Sequence, residues 1–163
     1  MKTVLFLCTG NTCRSPMAQV MLQQMLADQG IGEDEVKVTS AGLYASNGET
    51  ASPQAVQVMG KRGISLASHR SRRLTPKMIN EAVLILGMTD EHKQAVMMLD
   101  AASSDKVFSL GEYVSKPGEN TWRQVPDPFG QSVDVYEQTA KALETMLAQV
   151  VHKLKEERTV ETE

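Results

Sequence analysis

Hydrophobic positions along this chain follow two alternating rhythms. Short unbroken apolar runs recur at Thr3 to Leu7, Val36 to Ala41, Ala82 to Met88 and Lys106 to Leu110, and these read as strands buried on both faces. Between them the apolar residues fall at helical spacing, as with Met17, Val20, Met21 and Met25 in a helix from Pro16 to about Gly30. Further helices are predicted from Pro53 to Arg62, stopping before Gly63, from Glu91 to Leu99, and from Val133 to about Lys155. The methionine stripe of the first helix reads as core. Two turn-rich stretches remain, LYASNGETASP and GEYVSKPGENTWRQVPDPFGQS, and the second is long enough to be either functional or disordered.

Strands separated by helices need crossover connections, which implies a parallel sheet covered on both faces. The expected architecture is therefore three-layer α/β, with four parallel strands in the order 2-1-3-4. No repeat or second domain is visible, so the chain reads as one domain over residues 1–157 followed by a charged tail at 158–163. In such sheets ligands sit beyond the carboxyl ends of the strands, where strand order reverses. With strand one central, that point is CTGNTCRSP, residues 8 to 16.

Composition narrows the partners. At 163 residues with 41% hydrophobic content the chain can bury one core, and a net charge of -3 argues against nucleic acid or an anionic membrane as a general partner. The apolar start, Met1 to Cys8, is too short for a signal peptide and no run is long enough to span a membrane, so the expected location is the cytoplasm. The two cysteines share one loop, which is no disulfide framework. They read as chemical.

Cys8, five residues, then Arg14 is enough chain to wrap a tetrahedral anion with backbone amides pointing inwards at a helix start. Gly10 and Asn11 are types that tolerate left-handed backbone, and Ser15-Pro16 reads as an N-cap and first helical residue. A guanidinium at Arg14 would grip two phosphate oxygens in a fork, and the positive surroundings would favour Cys8 as a thiolate nucleophile. The expected chemistry is in-line attack on phosphorus, which requires no metal or cofactor.

On these residues the chain resembles the low-molecular-weight protein-tyrosine phosphatases and their relatives, the bacterial protein-arginine phosphatases. The resemblance covers nearly the whole chain: the Cys8 to Ser15 loop, SAG at Ser40 to Gly42, HRSRRL at His69 to Leu74, and DPFG at Asp127 to Gly130. It implies a phosphocysteine intermediate on Cys8, with Arg14 binding the phosphoryl group, Asp127 protonating the leaving group, and Thr9, Gly10, Asn11, Thr12 and Cys13 completing the phosphate loop. It also implies that Ser15 hydrogen-bonds the thiolate while Asn11, Ser40 and His69 brace the loop. Taken singly, a cysteine at a strand end is a small buried hydrophobe and Asp-Pro-Phe-Gly is turn chemistry; the nine-residue context sets them apart.

Position 12 bears on the substrate. The family's tyrosine phosphatases usually read CLGNICRSP and its arginine phosphatases CTGNTCRSP, so Thr9 and Thr12 favour phosphoarginine. Tyr44 and Phe129 remain to line the pocket, which keeps phosphotyrosine as the alternative. Phosphorylated proteins are the expected substrates and a monomer the expected state. A thioredoxin-linked arsenate reductase would need cysteines outside the loop, and a mere phosphoprotein binder would need neither nucleophile nor acid. Cys13 either packs under the loop or forms a reversible disulfide with Cys8. His92 and His152 are expected on helix surfaces, and Arg70, Arg72 and Arg73 in a solvated basic turn or a surface for acidic phosphoproteins.

Overall fold

In the computed structural model, which describes residues 1–162, the chain runs β1 (Lys2–Cys8), α1 (Arg14–Asp28), β2 (Val36–Gly42), α2 (Pro53–Lys61), α3 (Pro76–Glu81), β3 (Leu84–Gly87), α4 (Asp90–Leu99), a 3-10 turn (Ala101–Ser103), β4 (Val107–Ser109), α5 (Leu110–Tyr113) and α6 (Val133–Thr162). The strands form one parallel sheet in the expected order β2-β1-β3-β4. Central β1 pairs with β2 from Lys2 opposite Val36 to Cys8 opposite Gly42, and with β3 from Val4 opposite Leu84 to Leu7 opposite Gly87. Its neighbours lie on opposite sides, so strand order reverses at its carboxyl end, where the Cys8 loop begins.

Side chains of β1 alternate between two cores. Val4, Phe6 and Cys8 pack with Met17, Met21 and Leu22 of α1 and with Tyr136, Leu143 and Leu147 of α6. Leu5 and Leu7 face the other way, onto Ile79 of α3 and Val96 of α4. Burying each such large apolar side chain contributes about 1.5 to 3 kcal/mol. Helix α2 is tied to α6 by Arg62, whose guanidinium pairs with Glu137 at 2.7 Å and Glu144 at 2.6 Å.

Three differences from the sequence reading have local causes. Helices α3 and α5, of six and four residues, are too short to show a period. Their starts are nonetheless chemically marked: Thr75 Oγ1 accepts from Met78 N–H, and Ser109 and Glu112 form a reciprocal capping box. Helix α6 runs past Lys155 to Thr162, taking in most of the segment set apart as a charged tail, with Arg158 paired to Glu35 at 2.8 Å and Glu161 to Lys2. Residue 163 lies outside the described residues. No helix among the described residues is long and apolar enough to cross a membrane.

The long connection before α6 is pinned as a strap across the carboxyl edge of the sheet. Val125 N–H donates to Met88 O at 3.0 Å, Trp122 Nε1–H to Asp90 Oδ1 at 2.9 Å, and Asp90 N–H to Gln124 Oε1 at 2.7 Å. It also passes so close to Gly111 that a Cβ there would lie 1.9 Å from the Arg123 carbonyl oxygen. Of the two readings open for this stretch, order serves the site, because the strap carries Asp127.

Candidate active site

Cys8 ends β1 with its side chain 2% exposed. Its Sγ receives the Asn11 backbone N–H at 3.3 Å and lies 2.9 Å from Ser15 Oγ. Donors aimed at sulfur stabilise its anionic form. Asn11 alone takes a left-handed conformation in this loop, at φ 57°. Gly10, expected to share that role, does not, and a Cβ there would meet nothing closer than Thr12 Oγ1 at 3.8 Å. Ser15 is likewise not the cap of α1: the helix begins at Arg14 behind Cys13, and the serine hydroxyl turns to the sulfur instead.

Proton directions in the loop follow from one backbone amide. Arg72 N–H can only donate, and it donates to Asn11 Oδ1 at 2.9 Å, which fixes the carboxamide orientation. Asn11 Nδ2 therefore donates to Ser15 Oγ at 2.9 Å and Ser40 Oγ at 3.0 Å. Ser15 is left to donate its hydroxyl proton to Cys8 Sγ, and Ser40 to donate to Gln19 Oε1 at 2.6 Å. His69 Nε2–H closes the set by donating to Asn11 O at 2.7 Å. Burial lowers the His69 pKa, the hydrogen bond to Asn11 opposes this, and Arg72 and Arg70 add to the lowering. The ring is thus a neutral donor near pH 7.

Arg14 opens α1 with its side chain buried. Nη1 donates to Val125 O at 2.9 Å, and Nη2 lies 3.5 Å from Thr9 Oγ1 and 3.7 Å from Asp127 Oδ2. Its Nε is the one buried side-chain nitrogen or oxygen among the described residues without a hydrogen-bond partner. A buried guanidinium donor left open costs about 1 to 3 kcal/mol unless something else accepts from it. Asp127 is about half exposed, and its Oδ1 accepts Phe129 N–H at 3.1 Å, which holds the Asp-Pro-Phe-Gly turn.

Two site residues escaped the sequence reading. His92, expected on a helix surface, is 4% exposed and packed behind the loop. Thr89 N–H donates to its Nδ1 at 3.1 Å, so the neutral ring carries its proton on Nε2, 3.0 Å from Thr9 Oγ1. Burial, reinforced by the charge of Arg14 and opposed by Asp127, pushes its pKa down to about 4. The third residue of a helix points back over the cap, here toward the sheet edge rather than solvent. The second is Tyr136, fully buried on α6, whose hydroxyl lies 3.1 Å from Cys13 Sγ. Burial and that thiol push the phenol up to about 12. Cys13 packs beneath the loop against Tyr136 and Ser52, and both cysteines are free thiols. His152 is exposed and pairs with Glu156 at 3.1 Å.

Around the sulfur opens a cavity of about 270 Å³ lined by the whole loop from Cys8 to Arg14, with Tyr44, Glu49, Asp127 and Phe129 at its mouth. Tyr44 and Phe129 are 74% and 70% exposed, so their rings stand beside the opening as open walls. Thr12 lines the cavity as well. Ser40 and His69 hydrogen-bond to Asn11 of the loop.

A thiol that receives a backbone amide and a hydroxyl, in a cavity it shares with an arginine and an aspartate, has the makings of a cysteine-based phosphate-transfer site. Residues 3–160 match the family described as low molecular weight phosphotyrosine protein phosphatase, and the chain belongs to that family. It is 41% identical over 155 residues to the protein-arginine-phosphatase of Bacillus subtilis (strain 168), covering 95% of this chain and 98% of the relative. It is 36% identical over 143 residues to a probable low molecular weight protein-tyrosine-phosphatase, EpsP, of Ralstonia nicotianae, covering 88% and 89%. Among solved structures, it is similar to a cysteine-to-serine variant of the YwlE arginine phosphatase with a phosphorylated active site serine. That match has a TM-score of 0.88 at 39% identity, over 96% of this chain and 98% of the other.

Proposed function

We propose that the chain hydrolyses phosphoarginine on proteins through a phosphocysteine intermediate. The observation that carries the phosphatase chemistry is Cys8 Sγ, ringed by donors, in a cavity lined also by Arg14, whose buried Nε has no partner within the described residues. A phosphoryl group seated there has its oxygens met by the loop amides and the open guanidinium nitrogens. Cys8 thiolate attacks phosphorus in line, forming the S–P bond as the P–N bond breaks. Asp127 enters protonated and gives its proton to the departing guanidino nitrogen. The resulting carboxylate then takes a proton from water, the water oxygen attacks phosphorus, and the S–P bond breaks to return the thiolate and release phosphate. Ser15, with its hydroxyl proton directed at sulfur, stabilises the thiolate in both steps. Ser40 and His69 hold Asn11 and so the curvature of the loop.

The substrate reading rests on Thr12 in the cavity wall, which presents a hydroxyl where a phosphotyrosine ring would favour an aliphatic contact, and on the similarity to named arginine phosphatases. Phosphotyrosine is the second reading, favoured by Tyr44 and Phe129 at the mouth. Phosphorylated proteins in the cytoplasm are the proposed substrates, with the chain acting as a monomer. Phosphate release from phosphoarginine and phosphotyrosine peptides, with Cys8→Ser as the blank, tests this directly. The native chain should favour phosphoarginine, and Thr12→Ile should shift the preference toward phosphotyrosine. A native preference for phosphotyrosine, or a preference untouched by Thr12→Ile, would overturn the phosphoarginine reading.

A further inference from the structure

Phosphoryl chemistry on either substrate accounts for Arg14 and Asp127 in the lining of the catalytic cavity and leaves one further charge, Glu49. Among the described residues, the charged ones that line it are Arg14, Asp127 and Glu49. A neighbouring cavity of about 570 Å³ meets it at Thr12, Glu49 and Phe129, which line both, and Glu49 is the only charged residue of that second lining. Glu49 therefore stands where the two cavities meet.

Its backbone is held firmly. Ser71, 1% exposed, accepts Glu49 N–H on its hydroxyl at 2.9 Å and donates its own N–H to Glu49 O at 2.7 Å, while Gly48 N–H donates to Ser71 O at 2.9 Å. Asn47 Oδ1 in the same turn accepts Arg73 N–H at 2.9 Å. The Glu49 carboxylate enters no ion pair among the described residues, although the Arg70 to Arg73 segment runs alongside its turn.

We propose that Glu49 is a specificity-determining residue whose carboxylate receives the guanidinium cation of the phosphorylated arginine at the mouth of the cavity. The inference rests on the phosphoarginine reading above and deepens it. In the bound state the phosphoryl dianion takes up the charge of Arg14. Asp127, as the acid, carries a proton when the leaving nitrogen departs and has no charge to offer. Glu49 is then the carboxylate of the cavity lining left to face the substrate cation, and a guanidinium meets a carboxylate through paired N–H donors. A phosphotyrosine ring presents no cation there, so Glu49 gives it no electrostatic gain.

The test compares kcat/KM for alanine-flanked phosphoarginine and phosphotyrosine peptides, for the native chain and Glu49→Gln, which keeps shape and removes charge. Phosphoarginine turnover should fall about fivefold, with a narrowing difference as salt rises, while phosphotyrosine turnover stays within about twofold. Urea midpoints of the two proteins should coincide, since the side chain is exposed and unpaired. An equal loss on both peptides would mean that Glu49 only shapes the turn, and no loss on either that it does not touch the substrate; both outcomes overturn the proposal. Native turnover of phosphotyrosine without phosphoarginine would instead remove the reading beneath it, a result seen before any variant is made.

Discussion

Asn11 shows how much of the site one residue can carry. It is fully buried, left-handed, and uses its backbone N–H, backbone O, Oδ1 and Nδ2 in five hydrogen bonds to Cys8, His69, Arg72, Ser15 and Ser40. Asn11→Ala keeps the backbone groups but removes the acceptor of Arg72 N–H and the donor to Ser15 and Ser40, which retain Cys8 and Gln19 as partners. It also places alanine at a positive φ, which costs about 1 to 2 kcal/mol. Each lost hydrogen bond adds about 0.5 to 1.5 kcal/mol, so the urea midpoint should fall clearly. Because Ser15 is then free to rotate away from sulfur, kcat should fall by about tenfold or more while KM changes less. A variant that loses stability yet keeps kcat would show that the amide orients structure alone. At this scale the sequence was legible where chemistry is contiguous: Cys8, Arg14 and Ser15 lie within eight residues. The partners of Thr9 and Cys13, His92 and Tyr136, stand 83 and 123 residues away along the chain, beyond the reach of any local pattern.

Elements succeed or fail in the sequence reading according to whether their role is local. The four strands were legible as unbroken apolar runs and the long helices by their helical spacing, whereas α3 and α5 are too short for a period and the strap before α6 takes its order from Met88, Asp90 and Gly111. The start of α4 joins the two cases. Its sequence announces a helix, but not that the third helical residue, His92, faces the back of the phosphate loop and holds Thr9. The burial that allows this has a pH signature. The unfolded chain takes up a proton near pH 6.5 and the folded ring only near about 4, so between these values the unfolded state binds more protons. The stability contributed is complete above about pH 6.5 and is lost as pH falls toward about 4. His69, lowered in the same direction, adds to the slope. His92→Gln retains an acceptor for Thr89 N–H but cannot titrate, so its urea midpoint should fall less steeply between pH 6.5 and 4.5 than that of the native chain. Parallel curves would show that this imidazole is not held neutral by the fold.

Across the whole molecule, the sheet order brings distant segments to one point. The reversal at β1 delivers the Cys8 loop to the carboxyl edge, β2 delivers Ser40, and the strap delivers Val125 and Asp127 from beyond residue 120. Arg14 joins the loop to the strap, yet its Nε has no acceptor among the described residues. On the proposed function, an oxyanion bound there would supply that acceptor and bridge the loop amides to the guanidinium, and so favour the folded state over the unfolded one. Orthovanadate at about 100 times its dissociation constant adds about 2.7 kcal/mol, which for a chain of this size raises Tm by roughly 5 to 10 °C. Arg14→Lys replaces the fork with a point charge, frees the Val125 carbonyl and offers no fixed pair of donors. Its midpoint without vanadate should drop, and most of the vanadate-dependent rise should vanish. Glu49→Gln, outside the phosphate loop, should keep the full rise. If Arg14→Lys were stabilised by vanadate as strongly as the native chain, the anion would be held by the loop amides alone, and the open guanidinium nitrogen would have no part in receiving it.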